Sequence, residues 1–425
     1  MNKKIFTLGI VLFMVAIVTG TAYLFIFPYE PSDPPEADDS GATTQGMQEV
    51  FDANNQFAFD LYEELKSGEG NIFYSPYSIS AALGMTYEGA NGKTAEEMKE
   101  VFHFPDNLKE NFAATYNDIN SGSDDYELKT GNALWVQKDY PFLESYMSLV
   151  ERYYGGKAAN VDFVNEPEKT RQTINSFIEQ QTNDRIKDLI PPGVLNAMTR
   201  LVITNAIYFK GTWEWEFDKS DTYDGDFRVD QDTAVRVPMM FMEPEKARFN
   251  YADLGELQIL ELPYKGGELS MLILLPKQGK SFETGEDYYY TPGDIELSKL
   301  EEYKDQMEET SLDAIHLPKF EFETKYFMRD ALSAMGMPAA FSMAADFSGM
   351  DGTQDLFVSE VIHQAFVKVD EKGTEAAAAT AVVMDLKAAM PTKVFKADHP
   401  FIFMIQQKDT GNILFMGRVV DPSKE

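Results

Sequence analysis

Residues 201–209 read Leu-Val-Ile-Thr-Asn-Ala-Ile-Tyr-Phe, an almost wholly apolar run. A short run rich in β-branched and aromatic residues suits a strand covered on both faces. It also divides the chain. Ahead of it the periodicity is helical. Phe51, Phe57, Leu61 and Leu65 line a stretch that closes at Lys66-Ser67-Gly68, and residues 79–87 form a second helix. Thr94-Ala-Glu-Glu97 offers a capping box for a third, and residues 168–181 place Ile174, Phe177 and Ile178 on one face. Behind the run, strands dominate. Residues 257–263 and 269–275 are joined by the turn Tyr264-Lys-Gly-Gly267; residues 312–322 (around Pro318), 361–370 and 413–419 follow. Helices first and strands later predict an α+β fold with mostly antiparallel sheets. The acidic, Tyr-rich stretch 280–310 is expected to be a surface insertion.

The N-terminus has its own character. Residues 5–27 form 23 uncharged residues behind Lys3 and Lys4. As a helix they span about 34 Å at ~1.5 Å per residue, against roughly 30 Å of hydrocarbon. The basic start predicts that end inside and the remainder outside. An uncleaved anchor is favoured by length. The rival is a signal peptide cut near Gly20-Thr21-Ala22, which would leave an apolar new terminus. Both readings predict export. Residues 28–46 carry four prolines and five acids with no base, and read as a stiff spacer.

Composition removes whole classes of function. The chain has 425 residues, 70 acidic and 37 basic, for a formal net charge of −33. That balance argues against nucleic acid or an anionic membrane surface as partner. It has no Cys, so no disulfide framework, Cys-ligated zinc or thiol nucleophile is available. Gly279-Lys280-Ser281 resembles the tail of a phosphate loop, but Leu274 stands where its first glycine belongs. His103, His316, His363 and His399 are scattered, and no nucleophile elbow or zinc-protease helix occurs. Neither enzymatic activity, a metal nor a cofactor is expected.

One segment has two readings. Residues 373–383, Gly-Thr-Glu-Ala-Ala-Ala-Ala-Thr-Ala-Val-Val, would make a good helix. They also alternate. Thr374, Ala376, Ala378, Thr380, Val382 and Met384 form an uncharged side; Glu375, Ala377, Ala379, Ala381, Val383 and Asp385 form the side with both acids. Small residues let such a strand enter between existing strands without overpacking. A segment suited to both states is a candidate switch.

Several motifs in one order identify a family. Lys368-Val-Asp-Glu-Lys-Gly-Thr-Glu-Ala-Ala-Ala-Ala-Thr380 resembles the reactive-loop hinge of an inhibitory serpin. Ala397-Asp-His-Pro-Phe-Ile-Phe403 and Ile413-Leu-Phe-Met-Gly-Arg-Val-Val-Asp-Pro422 resemble the family's C-terminal signature, and segments at 71–78, 174–182 and 205–213 also match. The resemblance covers residues 47–425. It implies one serpin domain there, behind the anchor or signal peptide at 1–27 and the linker at 28–46. It implies a helix-rich half, three β-sheets and an exposed reactive loop. It also implies a suicide-substrate mechanism, in which a serine protease cuts the loop, the loop enters the main sheet, and the covalently bound protease is trapped.

Site residues carry over by position. The hinge is Glu371, Gly373, Thr374, Glu375, Ala376, Ala377, Ala378, Ala379 and Thr380. The family's spacing from Glu371 puts the cleaved bond at Lys387–Ala388, which suits a trypsin-like target. Shorter loops would shift it towards Ala389, and Leu386 or Met384 would suit chymotrypsin-, elastase- or subtilisin-like proteases. Ser75, Ser78, Asn205 and His363 match the shutter, a polar cluster beneath the opening sheet. Lys210, Gly211 and Trp213 match the breach, where insertion begins. Residues 105–130 hold only Lys109 and Lys129 as bases, so heparin is not expected as a partner. No Asn-x-Ser/Thr sequon occurs; with the missing cysteines this suggests a prokaryotic surface protein. A monomer is expected.

Overall fold

The computed structural model describes residues 36–121, 125–155, 157–244, 247–280, 287–289, 291–374 and 393–424. The folded unit begins at Glu36. Residues 36–46, placed in the spacer by their composition, are part of it. Ala37 is buried, and its amide and carbonyl both bond the side chain of Asn117, at 2.8 and 2.9 Å. Asp38 pairs with Arg152. These partners lie far along the chain, so the local composition does not announce them.

Six helices form the first half: α1 (Thr44–Leu65), α2 (Pro76–Tyr87), α3 (Gly92–Phe102), α4 (Leu108–Ile119), α5 (Glu144–Tyr154) and α6 (Pro167–Gln181). Thr43 caps α1, its hydroxyl accepting the Gly46 amide at 3.0 Å. α2 is buried from Pro76 through Thr86, the signature of a central helix. The capping box expected at Thr94 does not form. α3 already starts at Gly92 behind Asn91, and the buried Thr94 hydroxyl accepts the Asp346 amide at 2.9 Å instead.

The strands, in chain order, are β1 (Ile72–Tyr74), β2 (Tyr126–Gln137), β3 (Lys157–Val161), β4 (Leu201–Thr212), β5 (Tyr223–Arg228), β6 (Ala234–Met242), β7 (Phe249–Asp253), β8 (Leu257–Pro263), β9 (Leu269–Pro276), β10 (Gln278–Lys280), β11 (Asp287–Tyr289), β12 (Glu308–Thr310), β13 (Ala314–Pro318), β14 (Phe320–Phe327), β15 (Ile362–Asp370), β16 (Gly373–Thr374), β17 (Val394–Lys396), β18 (Phe401–Gln407) and β19 (Ile413–Val419). They build three large sheets. A seven-stranded sheet runs β1-β19-β18-β9-β8-β7-β12, a four-stranded sheet β17-β13-β6-β5, and a six-stranded sheet β14-β15-β16-β4-β2-β3. Every residue of β9, β18 and β19 is buried, so these form the core of the seven-stranded sheet.

Two further expectations need correction. The strand expected over residues 312–322 is two strands in different sheets: β13 ends at Pro318 and β14 begins at Phe320. Proline supplies no ladder donor at that end. The stretch 280–310 is only partly an insertion. β10 and β11 pair as a ribbon, but Ile295, Leu297, Leu300 and Tyr303 are buried and β12 joins the seven-stranded sheet. Its acids sit at exposed positions between those apolar anchors and mask the pattern.

Candidate functional site

The six-stranded sheet has a seam between β15 and β4. Each pairs antiparallel with β16, so β15 and β4 run parallel to one another. Thr374 lies opposite Val369 and Gly211, and Gly373 opposite Asp370 and Thr212. Among the described residues, no ladder joins β4 to β15 directly. Gly373 and Thr374 of the hinge thus occupy the head of the seam.

The turn between β15 and β16 is held from several sides. Asp370 Oδ1 accepts the Lys372 amide at 3.0 Å. The Trp213 amide donates to Lys372 O at 2.7 Å and the Phe217 amide to Glu371 O at 2.8 Å. Trp213 Nε1 donates to Asp370 O at 3.1 Å, and its ring stacks on Tyr264 at 4.7 Å. The Tyr264 hydroxyl bonds Thr374 Oγ1 at 2.8 Å. Thr374 itself is 3% exposed. Glycine is required where β16 meets β4: a Cβ on Gly373 would lie 1.9 Å from Gly211 O, and one on Gly211 would lie 2.6 Å from Phe209 Cζ.

Charge anchors the same turn. Lys319 Nζ lies 3.1 and 2.8 Å from the two carboxylate oxygens of Glu371, and Thr222 Oγ1 donates to Oε1 at 2.9 Å. Burial pushes the Glu371 carboxyl up, but Lys319, the backbone and Thr222 outweigh it and leave it lowered. Lys319 stands between β13 and β14, so the chain break that the pattern concealed is what aims this lysine at the hinge. Lys319→Met leaves a largely buried carboxylate with no counter-charge, held only by Thr222 and a backbone amide. We expect it to cost about 1–3 kcal/mol, read as a lowered midpoint in thermal unfolding; an unchanged midpoint would contradict the anchoring role.

Below the seam, β15 meets α2. Ser75 caps α2 by accepting the Ser78 amide at 3.1 Å and donates its hydroxyl to Leu414 O at 2.7 Å. Its amide donates to His363 Nε2 at 3.1 Å. Ser78 Oγ is buried with no partner among the described residues. Asn205 lies on β4 opposite Asn132, described in its backbone alone. Burial lowers the His363 pKa to about 3. The folded imidazole is therefore neutral, and the unfolded one takes a proton below about 6.5. Above that pH neither state is charged. As pH falls from about 6.5 towards 3, stability drops by about 1.4 kcal/mol per unit from this group. His363→Gln keeps an acceptor for Ser75 and removes the titration. The variant should show a shallower loss between pH 6 and 4; equal slopes would contradict the assignment.

The structure brings Glu371, Gly373, Thr374, Gly211 and Trp213 together at the head of the seam, with Ser75, Ser78 and His363 beneath it. Lys210 lies beside Gly211 on β4 with its side chain exposed, outside the hydrogen bonds of the turn. Glu375, Ala376, Ala377, Ala378, Ala379, Thr380, Met384, Leu386, Lys387, Ala388 and Ala389 lie outside the described residues, as do residues 1–35. Among the described residues no helix is long and apolar enough to cross a membrane, and no group of three or more acids and histidines gathers as a metal site. Lys319, Thr222 and Tyr264 were not legible as site residues. Each is an unremarkable residue in its own segment, and the partner that gives it meaning lies far along the chain.

A family profile described as serpin (serine protease inhibitor) matches residues 52–422. The chain belongs to the serpin family. An uncharacterized serpin-like protein of Methanosarcina mazei is 45% identical over 387 residues, 88% of each chain. Leukocyte elastase inhibitor A of Rattus norvegicus is 40% identical, over 88% of this serpin and all of the relative. Among solved structures, uncleaved ovalbumin superposes with a TM-score of 0.77 at 33% identity, over 87% of this chain and 99% of the other. The fold is the serpin fold, α+β with three large sheets. Inhibitory members stand among its relatives, and the family description is of an inhibitor of proteases.

Proposed function

We propose that this serpin traps a serine protease as a suicide substrate. The observation that carries the reading is β16, already hydrogen-bonded between β15 and β4 and antiparallel to both. That is the geometry a longer inserted strand would continue. Each further residue of the loop steps one residue back along both neighbours. This brings Thr380 opposite His363 and Met384 opposite Leu201. Thr374 is buried, and the side of the alternation it heads carries no charge. A strand of this pattern can enter the core without stranding an ion.

In this reading the protease nucleophile attacks the carbonyl of Lys387, the Ala388 amine leaves, and the acyl-enzyme ester remains. Insertion then carries Lys387 and the tethered protease away from the loop's starting position. A trypsin-like target is the first choice because Lys387 fits a pocket with a buried acid. Subtilisin- or elastase-like targets are second, through Leu386 or Met384; one relative is named for elastase inhibition. A non-inhibitory binding or chaperone role is disfavoured by the small hinge residues at 376–379. The protein acts as an exported monomer, with residues 5–27 as anchor or signal segment.

The test is incubation with trypsin, subtilisin, chymotrypsin and elastase. The expected result is a detergent-stable complex with trypsin and a new N-terminus at Ala388. Cleavage by all four with no complex would overturn the reading.

A further inference from the structure

The lower end of the seam encloses a cavity of about 610 Å³. It lies between the start of β4, the start of β15 and the buried face of α2 that carries Ile79, Ala82 and Leu83. Its volume falls within the roughly 300–1,000 Å³ typical of small-molecule sites. Three polar atoms of its inner walls are already engaged. Thr86 Oγ1 donates to Ala82 O, Thr204 Oγ1 accepts from Trp135 Nε1, and His363 Nε2 accepts from the Ser75 amide. A ligand with hydrogen-bonding groups along its body would lose water there and gain little. The lining continues outward through Met198 and Phe357, which are 80% and 42% exposed, so an apolar path leads from solvent to the interior.

The polar exception is Arg200, the lone Lys or Arg in the lining. It is half-buried. Nη1 donates to Ala197 O and Thr199 O, and its other N–H groups have no hydrogen-bond partner among the described residues. The two acids of the lining do not answer it. Asp355 is exposed, and Glu360 Oε1 accepts the amides of Arg329 and Val361.

We infer that this cavity binds a single-chain amphiphile, an unbranched aliphatic body with an anionic head seated on Arg200. The occupant fills the lower seam at the level where Thr380 would face His363 of β15 and Met384 would face Leu201 of β4, and so stops insertion before it is complete. That consequence rests on the proposed inhibitory function; the binding does not.

The test is calorimetric titration of the full chain with dodecanoate below its micelle concentration, with dodecylammonium as the cationic control. Wild type should bind one dodecanoate. Arg200→Gln should weaken binding at least about tenfold, and Ala82→Phe, which fills the cavity, should abolish it. If Ala82→Phe does not fold, Val194→Trp at the lining serves the same purpose. Dodecanoate should also divert wild type, but not Arg200→Gln, from complex to cleaved product. No saturable binding, equal binding of both head groups, or binding unchanged by Arg200→Gln and the filling variant would overturn the proposal. If wild type traps no protease at all, the inhibitory reading fails, and the titration still decides the site.

Discussion

On the proposed mechanism, Thr374→Arg should turn inhibitor into substrate. The protease still cuts the loop, but detergent-stable complex falls and the number of inhibitor molecules consumed per protease rises at least about tenfold. The cause is local. Thr374 is 3% exposed, its hydroxyl meets Tyr264 at 2.8 Å, and its neighbours across the seam are Val369 and Gly211. A guanidinium there would find no acid on its own face of the sheet: the Glu371 carboxylate is held by Lys319 and Thr222, and Asp370, which pairs with Gly373, alternates to the opposite face. Burying an unpaired charge costs several kcal/mol, while about 1.4 kcal/mol already changes a partition tenfold. The first inserted side chain would be expelled, and the strand behind it would have nothing to continue. Gel analysis against trypsin checks this. Complex at the wild-type yield would contradict the role of Thr374.

On the same mechanism, Lys387→Glu should abolish the proposed inhibition of trypsin-like proteases. Lys387 is assigned by the family's spacing from Glu371. A pocket that carries a buried acid attracts a lysine and repels a glutamate, so the substitution replaces an attraction by a repulsion. The rate of complex formation with trypsin should fall at least about a hundredfold, equivalent to about 2.7 kcal/mol. The variant should keep the wild-type melting midpoint, because the change leaves the seam intact. An unchanged rate with trypsin would move the cleaved bond elsewhere in the loop, with Leu386 and Met384 as the next positions.

Much of the architecture was readable because it is written locally. The apolar run that became β4, the hairpin of β8 and β9, and the all-round burial of α2 each follow from a pattern within a dozen residues. Of the alternation headed by Thr374, only Thr374 lies among the described residues, and it is buried in the seam. What escaped reading is non-local. Lys319 looks like a solvated lysine beside Pro318 until β13 and β14 separate into different sheets and Glu371 arrives from the other side. Thr94 looks like a cap until Asp346 takes its hydroxyl. Residues 36–43 look like linker until Asn117 and Arg152 take up their polar groups. In each case the deciding partner is too far along the chain for any window to contain it.

The central claim is that the cut loop becomes a strand of the six-stranded sheet, antiparallel to β15 and β4. Thermal unfolding of the intact protein and of the protein nicked once within residues 375–392 tests it most directly. Insertion fills the seam and adds strand pairing along both neighbours, so the nicked form should melt more than about 10 °C higher. A nicked form that melts at or below the intact midpoint would contradict the account.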